Sequence, residues 1–515
     1  MSNSNGDESG KRRGGGAARR ASRRTTSFET ARYIERKIST YDILDEEAVQ
    51  LVKRNSDFVL KEIGVSFADC DEALSRWKEA GASVDGSRVR FPEGLLDKLC
   101  STAPSSFRQN ARNPEREVEI GGKNMVLAPV YGPPFVSDMD NGRRYGTIED
   151  FQNLVKLVYM SKWIHHSGGT ICEPVDLPVN KRHLDMLYSH IKYSDKPFMG
   201  SVTAPQRAQD SVDIAKIVFG DKFYNGSPSL ISLINVNSPL TFDPIMVGAL
   251  EVYAANNQAS IISPFIVGGA MSPVSPFGTL TQILSEVRVG IAYSQLIRAG
   301  APIVFGAFVS SIAMNSGSPT FGTPEAAQIM YGVGQLARSL GLPFRSGGSL
   351  CGSKVPDAQA AYESANTIMP AFFAGVNFCL HSAGWLEGGL VSSYEKLVMD
   401  ADQLGTLHKL AKGIDITENG QALDAIQEVG PGGHYLGCAH TQANYQDAFW
   451  ATELLDYKPY EQWSEEGSHD LLYNANALWK KKLREYQAPA LDQAIDEELQ
   501  EFISKRKASE PDANY

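Results

Sequence analysis

Residues that could do chemistry follow a series of short apolar runs in this sequence. Most of them are aromatic, or polar without charge: Tyr131, Thr170, Glu173, Thr203, Asn235, Asn237, Phe265, Ser310, Met314, Ser349, His381, Ser382 and Trp385. No HxH, HExxH or regularly spaced pair of carboxylates occurs, so the sequence does not predict a catalytic metal.

Three histidines and a cysteine have reactive side chains. His165 and His166 are adjacent in a β-prone run, where neighbouring side chains face opposite ways, so both are expected to be structural. His381 closes another β-prone run and suits either a site or a buried core position. Cys351 precedes a helical run, where a thiol pKa can fall, yet covalent catalysis is not the favoured interpretation.

Eight β-prone runs alternate with amphipathic helical runs between residues 121 and 400. The runs are NMVLAPV, WIHHSGGTI, KPFMGSVTA, PSLISLINV, ASIISPFIV, APIVFGAFV, PFRSGGS and GVNFCLHS. This alternation predicts an α/β fold, a (β/α)8 TIM barrel with its active groups at the carboxyl ends of the strands. A doubly wound open sheet is the alternative, but its usual glycine-rich or P-loop turns are missing from any strand–turn–helix context.

Segments of different character flank this barrel. Residues 1–30 are rich in Arg, Gly and Ser and poor in apolar residues, which predicts a disordered basic tail. Residues 31–120 indicate a mainly helical cap. Residues 401–515 indicate a helical extension, which could mediate oligomer contacts or cover the barrel.

Composition excludes several classes of protein. The 515 residues carry a net charge of -11, which argues against a nucleic-acid partner. No apolar run reaches the roughly 18 residues of a membrane-spanning helix, so no membrane association is expected. The six cysteines form no CxxC pair, which indicates buried free thiols in a cytoplasmic protein.

Several long motifs resemble one family. They are YGPPFVSDMDNGRRYGT, HHSGGTICEPVDLPVNKRHLDM, YSDKPFMGSVTAPQRAQDSV, GSPTFGTPEAAQ, GSKVPDAQAAYESANT and GPGGHYLG, and together they resemble the trimethylamine methyltransferase family from about residue 30 onward. The resemblance implies a (β/α)8 barrel that demethylates a methylated amine. It also implies that the methyl group passes to Co(I) of a separate corrinoid protein.

The loop GGSLCGSKVPD, after the seventh β-prone run, departs from that family. Its trimethylamine enzymes carry pyrrolysine here, whereas this loop has standard residues only, with Gly352 or a close neighbour at the matching position. The chain therefore resembles the members that act on quaternary amines such as glycine betaine. Gly347, Gly348 and Gly352 either leave room for a corrinoid or form a simple tight turn.

The resemblance assigns roles to the candidate residues. When a quaternary amine loses a methyl group, the leaving group is a neutral amine, and its departure needs no general acid. Positioning should therefore dominate catalysis. Aromatic faces that could hold the cation are Tyr131, Phe135, Phe265, Phe308 and Trp385. Glu173 could add a counter-charge or form a salt bridge at the rim. The substrate carboxylate is expected to meet His381 first, with Arg345 or backbone N–H groups as further donors, and Arg345 could instead pair inside the barrel. Ser349 is a further substrate-binding candidate.

The chain has no DxHxxG motif, with which the family's corrinoid proteins bind cobalamin. We therefore expect no tightly bound cofactor, a corrinoid protein that docks around the barrel mouth, and a homo-oligomer. Two alternatives remain open at this point. One is a demethylase with another methyl acceptor, such as tetrahydrofolate. The other is a non-catalytic barrel that binds quaternary amines.

Overall fold

A curled sheet of parallel strands forms the centre of the fold in a computed structural model that describes residues 31–513. Its order is β1-β7-β6-β5-β4-β3-β2, so successive strands from β2 to β7 are neighbours, the last strand lies beside the first, and β1 and β2 form the two edges of this parallel sheet. The strands are β1 Asn124–Leu127, β2 Phe198–Met199, β3 Leu230–Val236, β4 Ala259–Val267, β5 Ile303–Gly306, β6 Phe344–Gly347 and β7 Phe378–Leu380.

Eight helices cover the outside of this sheet. They are α1 Ile148–Met160, α2 Arg182–Tyr193, α3 Pro205–Phe219, α4 Pro244–Ala255, α5 Pro276–Ile297, α6 Pro324–Ser339, α7 Ala358–Phe373 and α8 Tyr394–Leu410. Helices α3, α4, α5 and α6 begin with proline, whose fixed φ and missing N–H suit the first helical position. Helix α1 begins with a capping box between Thr147 and Asp150.

Both faces of the sheet are buried. Side chains such as Val126, Ile231, Ile261 and Leu380 fill the concave face, and the opposite face packs against the helices. Strands buried on both faces read as continuous apolar runs, which is why the β-prone runs were visible in the sequence.

The second predicted strand, WIHHSGGTI, is not a strand in the structure. Gly168 has a φ of 86°, which interrupts the extended backbone. The segment still contacts both edges of the sheet: His165 N donates to Leu127 O at 3.0 Å, and Met199 N donates to Gly168 O at 2.9 Å. The prediction of eight regular strands was therefore wrong at this position, and the described sheet has seven parallel strands.

The segment that precedes the sheet mixes helices with small strands. Its helices are Glu46–Phe58, the π-helical turn Val59–Ile63, Asp71–Glu79 and Leu95–Cys100. Its strands are Ile34–Glu35, Val65–Phe67, Ser83–Asp85, Arg88–Arg90, Ser106–Gln109 and Val118–Gly121. Arg288 of α5 is buried and pairs with Asp57 and Asp97, which fixes this segment against the helical layer.

Short strands line the mouth of the sheet, and helices follow α8. The strands are Phe135–Asp138, Gly142–Tyr145, Thr241–Phe242, Phe308–Ile312, Pro319–Thr320, Trp385–Leu386 and Val391–Ser393. The helices are Glu418–Gln421, Leu423–Val429, Ala439–Asn444, Tyr460–Glu465, Leu471–Glu485 and Gln493–Ala508. Among the described helices, none is long and apolar enough to cross a membrane. The predicted basic tail, residues 1–30, lies outside the described residues.

Candidate active site

Four aromatic residues and a histidine meet at the carboxyl ends of β4, β5 and β7. Phe308 is at the centre: its ring centroid lies 5.1 Å from that of Phe265 and 5.8 Å from those of His381 and Trp385. Phe321 closes the group, 5.9 Å from Trp385. We call these five residues the aromatic cluster. Three of the five candidates for cation binding, Phe265, Phe308 and Trp385, therefore converge.

The aromatic cluster is open on one side. Phe265 is 43% exposed, whereas the other four members are buried. Trp385 is held from behind, because its Nε1 donates to Cys351 O at 3.1 Å and its carbonyl accepts from Cys351 Sγ. Several ring faces around one opening form a site that attracts an organic cation.

Arg345 contributes a positive charge beneath the aromatic cluster. It is 1% exposed, and its Nη1 lies 2.9 Å from Ser263 Oγ and 3.5 Å from Ala307 O, next to Phe308. Burial lowers the pKa of Arg345 to about 10, so the guanidinium stays charged at neutral pH. No carboxylate of residues 31–513 forms a salt bridge with it, and its Nε has no hydrogen-bond partner there. Such a charge is well placed to bind an anion.

His381 is a neutral hydrogen-bond donor in the site. Its backbone has a φ of 61°, and it is held by hydrogen bonds to Pro129 O and from Ser349 N. Burial, with help from Arg345, lowers the pKa of His381 well below its usual value. Because Tyr131 N donates to His381 Nδ1 at 3.2 Å, the proton of the neutral ring lies on Nε2.

Tyr131 meets the aromatic cluster through its backbone N–H, which donates to His381, whereas Glu173 pairs with Arg182. Burial raises the pKa of Tyr131 to about 12, so the phenol remains protonated. Glu173 forms a salt bridge with Arg182, and burial raises its pKa. The rim salt bridge, one of the two interpretations of Glu173 in the sequence, is therefore the arrangement in the structure.

Phe135 lies apart from the aromatic cluster. Its ring packs against Tyr145 at 4.6 Å, and the guanidinium of Arg143 lies 3.6 Å from the ring centroid. That face is thus already occupied by a cation of the chain. Phe135 was a candidate for cation binding, but its hairpin with Gly142–Tyr145 carries it away from the cluster.

The glycines of the loop after β6 differ in how closely other atoms approach them. A Cβ at Gly347 would lie 2.7 Å from Leu350 Cδ1, and one at Gly348 would lie 2.8 Å from Ser382 Cα. These two glycines allow close packing and do not open a path, so that part of the corrinoid interpretation was wrong. Gly352 differs, because a Cβ there would meet nothing closer than 3.8 Å, from Phe321 and Glu363.

Two groups in this loop are unsuited to chemistry on the substrate. Ser349 is buried, and its Oγ donates to Ser382 O at 2.7 Å, which joins the loops after β6 and β7. Burial raises the pKa of Cys351 to about 12, so its thiol stays protonated and is a poor nucleophile.

Two residues of the site were missed in the sequence. Phe321 lies far along the loop after β5, beyond a hairpin, and no periodic signal marks it. Glu363 lies on α7, and its Oε2 accepts from Gly352 N at 2.6 Å and from Ser353 N at 3.3 Å. Glu363 lies in the second turn of the helix that follows the glycine-rich loop. A carboxylate at such a position is a sequence signal for a contact with the backbone of the loop.

His165 and His166 have structural contacts, as the sequence predicts. His165 Nδ1 accepts from Leu127 N at 3.0 Å, and its Nε2 lies 3.1 Å from Nε2 of His408. His166 Nε2 lies 3.2 Å from Oε1 of Gln109, on the other side of the chain. Within the described residues, no group of three or more His, Cys, Asp and Glu side chains is arranged to hold a metal ion.

A group of aromatic side chains beside one buried charge, at the carboxyl ends of parallel strands, occupies the position of a small-molecule site in an α/β enzyme. Comparison with known proteins places the chain among methyl-transferring enzymes. Residues 12–511 match the family model described as trimethylamine methyltransferase (MTTB). The chain belongs to this family, which confirms the resemblance seen in the sequence motifs.

Three curated relatives show which members of the family this chain is similar to. Glycine betaine methyltransferase of Desulfitobacterium hafniense (strain Y51) is 44% identical over 90% of this chain and 97% of its own length. Proline betaine:corrinoid methyltransferase of Eubacterium limosum is 29% identical over 92% and 98%. Trimethylamine methyltransferase MttB of Methanosarcina barkeri (strain Fusaro / DSM 804) is 28% identical over 87% and 91%.

Proposed function

We propose that this enzyme demethylates glycine betaine and passes the methyl group to a separate corrinoid protein. The aromatic cluster holds the quaternary ammonium, and Arg345 with Nε2 of His381 holds the carboxylate. The observation that carries the proposal is the buried charge of Arg345, which lies directly beneath the aromatic cluster and has no acidic partner in the described chain. The similarity to glycine betaine methyltransferase supports it.

The charge of Arg345 favours a zwitterion over a simple cation. A lone quaternary ammonium near this guanidinium would meet electrostatic repulsion in a site of low dielectric. A betaine brings a carboxylate that neutralises Arg345 and an ammonium that the ring faces attract. Phe265 lies two residues beyond Ser263 on β4, about 6.6 Å further toward the mouth, a separation that a compact betaine can span.

The orientation follows from these contacts. With the carboxylate bound deep in the pocket, a methyl group of the ammonium faces the opening beside Phe265. The corrinoid of the partner protein would supply the nucleophile that takes this methyl group. The nitrogen of the demethylated product is neutral, so no residue has to deliver a proton to it, and the neutral His381 and protonated Cys351 agree with that requirement. The chain's contribution is position and exclusion of water.

We also infer that the curled sheet closes into an eight-stranded barrel. Residues 165–168 lie between β1 and β2 and donate or accept hydrogen bonds at both edges, although their backbone is irregular. This segment takes the place of the eighth strand. A closed barrel would hold the loops of the aromatic cluster in a ring around one opening.

The test is a methyl-transfer assay with a panel of amines. Purified enzyme is mixed with reduced Co(I)alamin, free or on a corrinoid protein, and with glycine betaine, proline betaine, carnitine, choline or trimethylamine. The loss of Co(I) absorbance measures transfer. We expect glycine betaine to be the best substrate and choline, which has no carboxylate, to be poor.

Three outcomes would contradict the proposal. Equal rates with choline and glycine betaine would mean that Arg345 does not select a carboxylate. No transfer with any amine, together with tight glycine betaine binding by calorimetry, would favour a binding protein over an enzyme. Transfer to tetrahydrofolate in the absence of corrinoid would identify a different acceptor.

A further inference from the structure

An unusual surface lies in the segment between α8 and the helix Leu471–Glu485. We call residues 411–460 the arm. Ten large apolar residues of the arm are exposed, more than in any separate stretch of 50 residues in the described chain. The six most exposed, at 71–91%, are Ile414, Ile416, Leu436, Phe449, Tyr457 and Tyr460.

The arm has very little core of its own. Only four of its residues are buried: Ala411, Ala425, Cys438 and Leu454. Its helices are four to seven residues long, which is too short for stability in water without packing. A segment that exposes ten large apolar side chains and buries only four residues is suited to packing against another molecule.

We propose that the arm is a self-association surface, covered in solution by a second copy of this chain. The estimated area supports a stable interface. At roughly 100 Å² of exposed surface for each of the ten residues, one arm offers about 1,000 Å². Two arms then reach about 2,000 Å², the range of obligate homodimers. In a two-fold dimer both copies contribute the same surface, so a single interface covers both arms.

The position of the arm argues against the corrinoid protein as its partner. Lys37 N donates to Ala411 O at 2.8 Å, and the preceding Arg36 N donates to Lys123 O, just before β1 begins. The arm therefore starts at the amino-terminal end of the strands, opposite the aromatic cluster. On the proposed function, the corrinoid protein needs the mouth and leaves in each turnover, so it cannot be the lasting cover of the arm.

The charge of the arm argues against two other partners. It contains seven Asp and Glu residues and two Lys residues. An acidic surface is repelled by nucleic acid and by anionic lipid headgroups. The second copy must accommodate this charge as well, so we expect the arm to pack largely on the body of the facing molecule.

A cavity beside the arm could receive side chains from the facing copy. It measures about 350 Å³, and its lining is mostly apolar. Leu454 and Leu455 of the arm line it together with Tyr362 of α7 and Met399 of α8. An interface with protruding apolar side chains and an adjacent apolar hollow on each copy can be complementary to itself.

The test is the oligomeric state of the full-length protein by sedimentation velocity at micromolar concentration. We expect the wild type to be a dimer or a higher symmetric oligomer. The triple variant Ile414→Glu, Leu436→Glu, Phe449→Glu should sediment as a monomer. Tyr224→Glu is the matched control, because Tyr224 is 70% exposed and lies outside the arm, and it should keep the wild-type state. A monomeric wild type, or a triple variant that stays oligomeric, would overturn the proposal.

Hydrogen exchange on the wild type gives a second measurement in case the triple variant does not fold. Amides of residues 411–460 should be protected at high protein concentration and lose protection on dilution. Protection that is the same at all concentrations would contradict the proposal, and so would protection that requires added corrinoid protein. Neither experiment uses methyl transfer, so a failure here is distinguishable from a failure of the proposed function.

Discussion

Arg345 allows the most direct test of the substrate's chemistry. Replacing it by methionine keeps much of the buried volume and removes the charge that would bind the carboxylate. A charge-assisted hydrogen bond contributes about 1.5–3 kcal/mol, so we expect KM for glycine betaine to rise about 10- to 100-fold. Choline should gain relative to glycine betaine, because the repulsion of its cation is removed. Steady-state kinetics with both amines measures this effect.

The control for this variant is Arg36→Met. Arg36 is also buried, but its Nη1 donates to Val376 O and it lies near the amino-terminal end of the strands. It should lower stability without changing the preference between the two amines. If Arg345→Met keeps the wild-type KM for glycine betaine, the carboxylate does not bind there.

Phe321 tests whether the aromatic cluster holds the cation. Phe321→Leu removes one ring face while keeping an apolar side chain. Since one cation–π contact is worth about 0.5–2 kcal/mol, kcat/KM for glycine betaine should fall about 2- to 30-fold. Phe135→Leu is the matched comparison, because Phe135 packs against Tyr145 and Arg143 and should have little effect. The reverse order of effects would place the cation near Phe135.

Part of this site could be predicted from the sequence, for a physical reason. Phe265 lies near the end of β4, and Phe308, His381 and Trp385 come within five residues of the ends of β5 and β7. The carboxyl ends of neighbouring parallel strands meet at one edge. Phe321 was not found, because a long loop returns it to the cluster and loops carry no periodic signal. The role of Arg345 depends on which acidic groups lie near it in space, which the order of residues does not reveal.

At the scale of elements, helices were more predictable than strands. The run IEDFQNLVKLVYM, one of the amphipathic helical runs that alternate with the β-prone runs, forms the helix Ile148–Met160, because the capping box fixes its start and the apolar period fixes its buried face. The run WIHHSGGTI was apolar enough to suggest a strand. Its Ser-Gly-Gly sequence instead permits a positive φ at Gly168, and the segment is irregular.

Helix α5 contains a carboxylate that should make stability depend on pH. Glu286 is fully buried, where it accepts hydrogen bonds from Ser238 Oγ and Leu240 N, and burial raises its pKa to about 7. The folded state therefore binds this proton more tightly than the unfolded state. Its stabilising effect is complete below the ordinary pKa and is lost as pH rises from about 4.5 to 7.

Glu286→Gln should remove this dependence. The amide keeps the shape and stays neutral, so we expect the variant to unfold at a higher temperature than the wild type at pH 8. The upper limit of the gain is roughly 3 kcal/mol, from 1.36 kcal/mol per pKa unit. At pH 5 the two proteins should be similar. The exposed Glu79→Gln is the control and should follow the wild type at both pH values; a variant that is less stable at pH 8 would show that the ionised carboxylate is needed.

At the scale of the whole molecule, two separate surfaces carry exposed apolar residues. One is the arm, which starts at the amino-terminal end of the strands, and the other is the mouth, where Val274 and Met314 are 83% and 85% exposed on the loops after β4 and β5. Phe265 of the aromatic cluster lies at the same end. The two surfaces allow separate functions: one copy of the chain can stay bound to another while the mouth remains free for a partner that leaves after each turnover.

The mouth surface predicts a difference between two methyl acceptors. Val274→Glu and Met314→Glu should each raise KM for a corrinoid protein about tenfold, the effect of losing one central apolar contact. The same variants should keep the wild-type rate with free Co(I)alamin, because the aromatic cluster and Arg345 are unchanged. Tyr224→Glu, at a distant exposed position, controls for added negative charge. Equal losses with both acceptors would mean that these loops shape the pocket itself, and no loss with either would place the docking surface elsewhere on the rim.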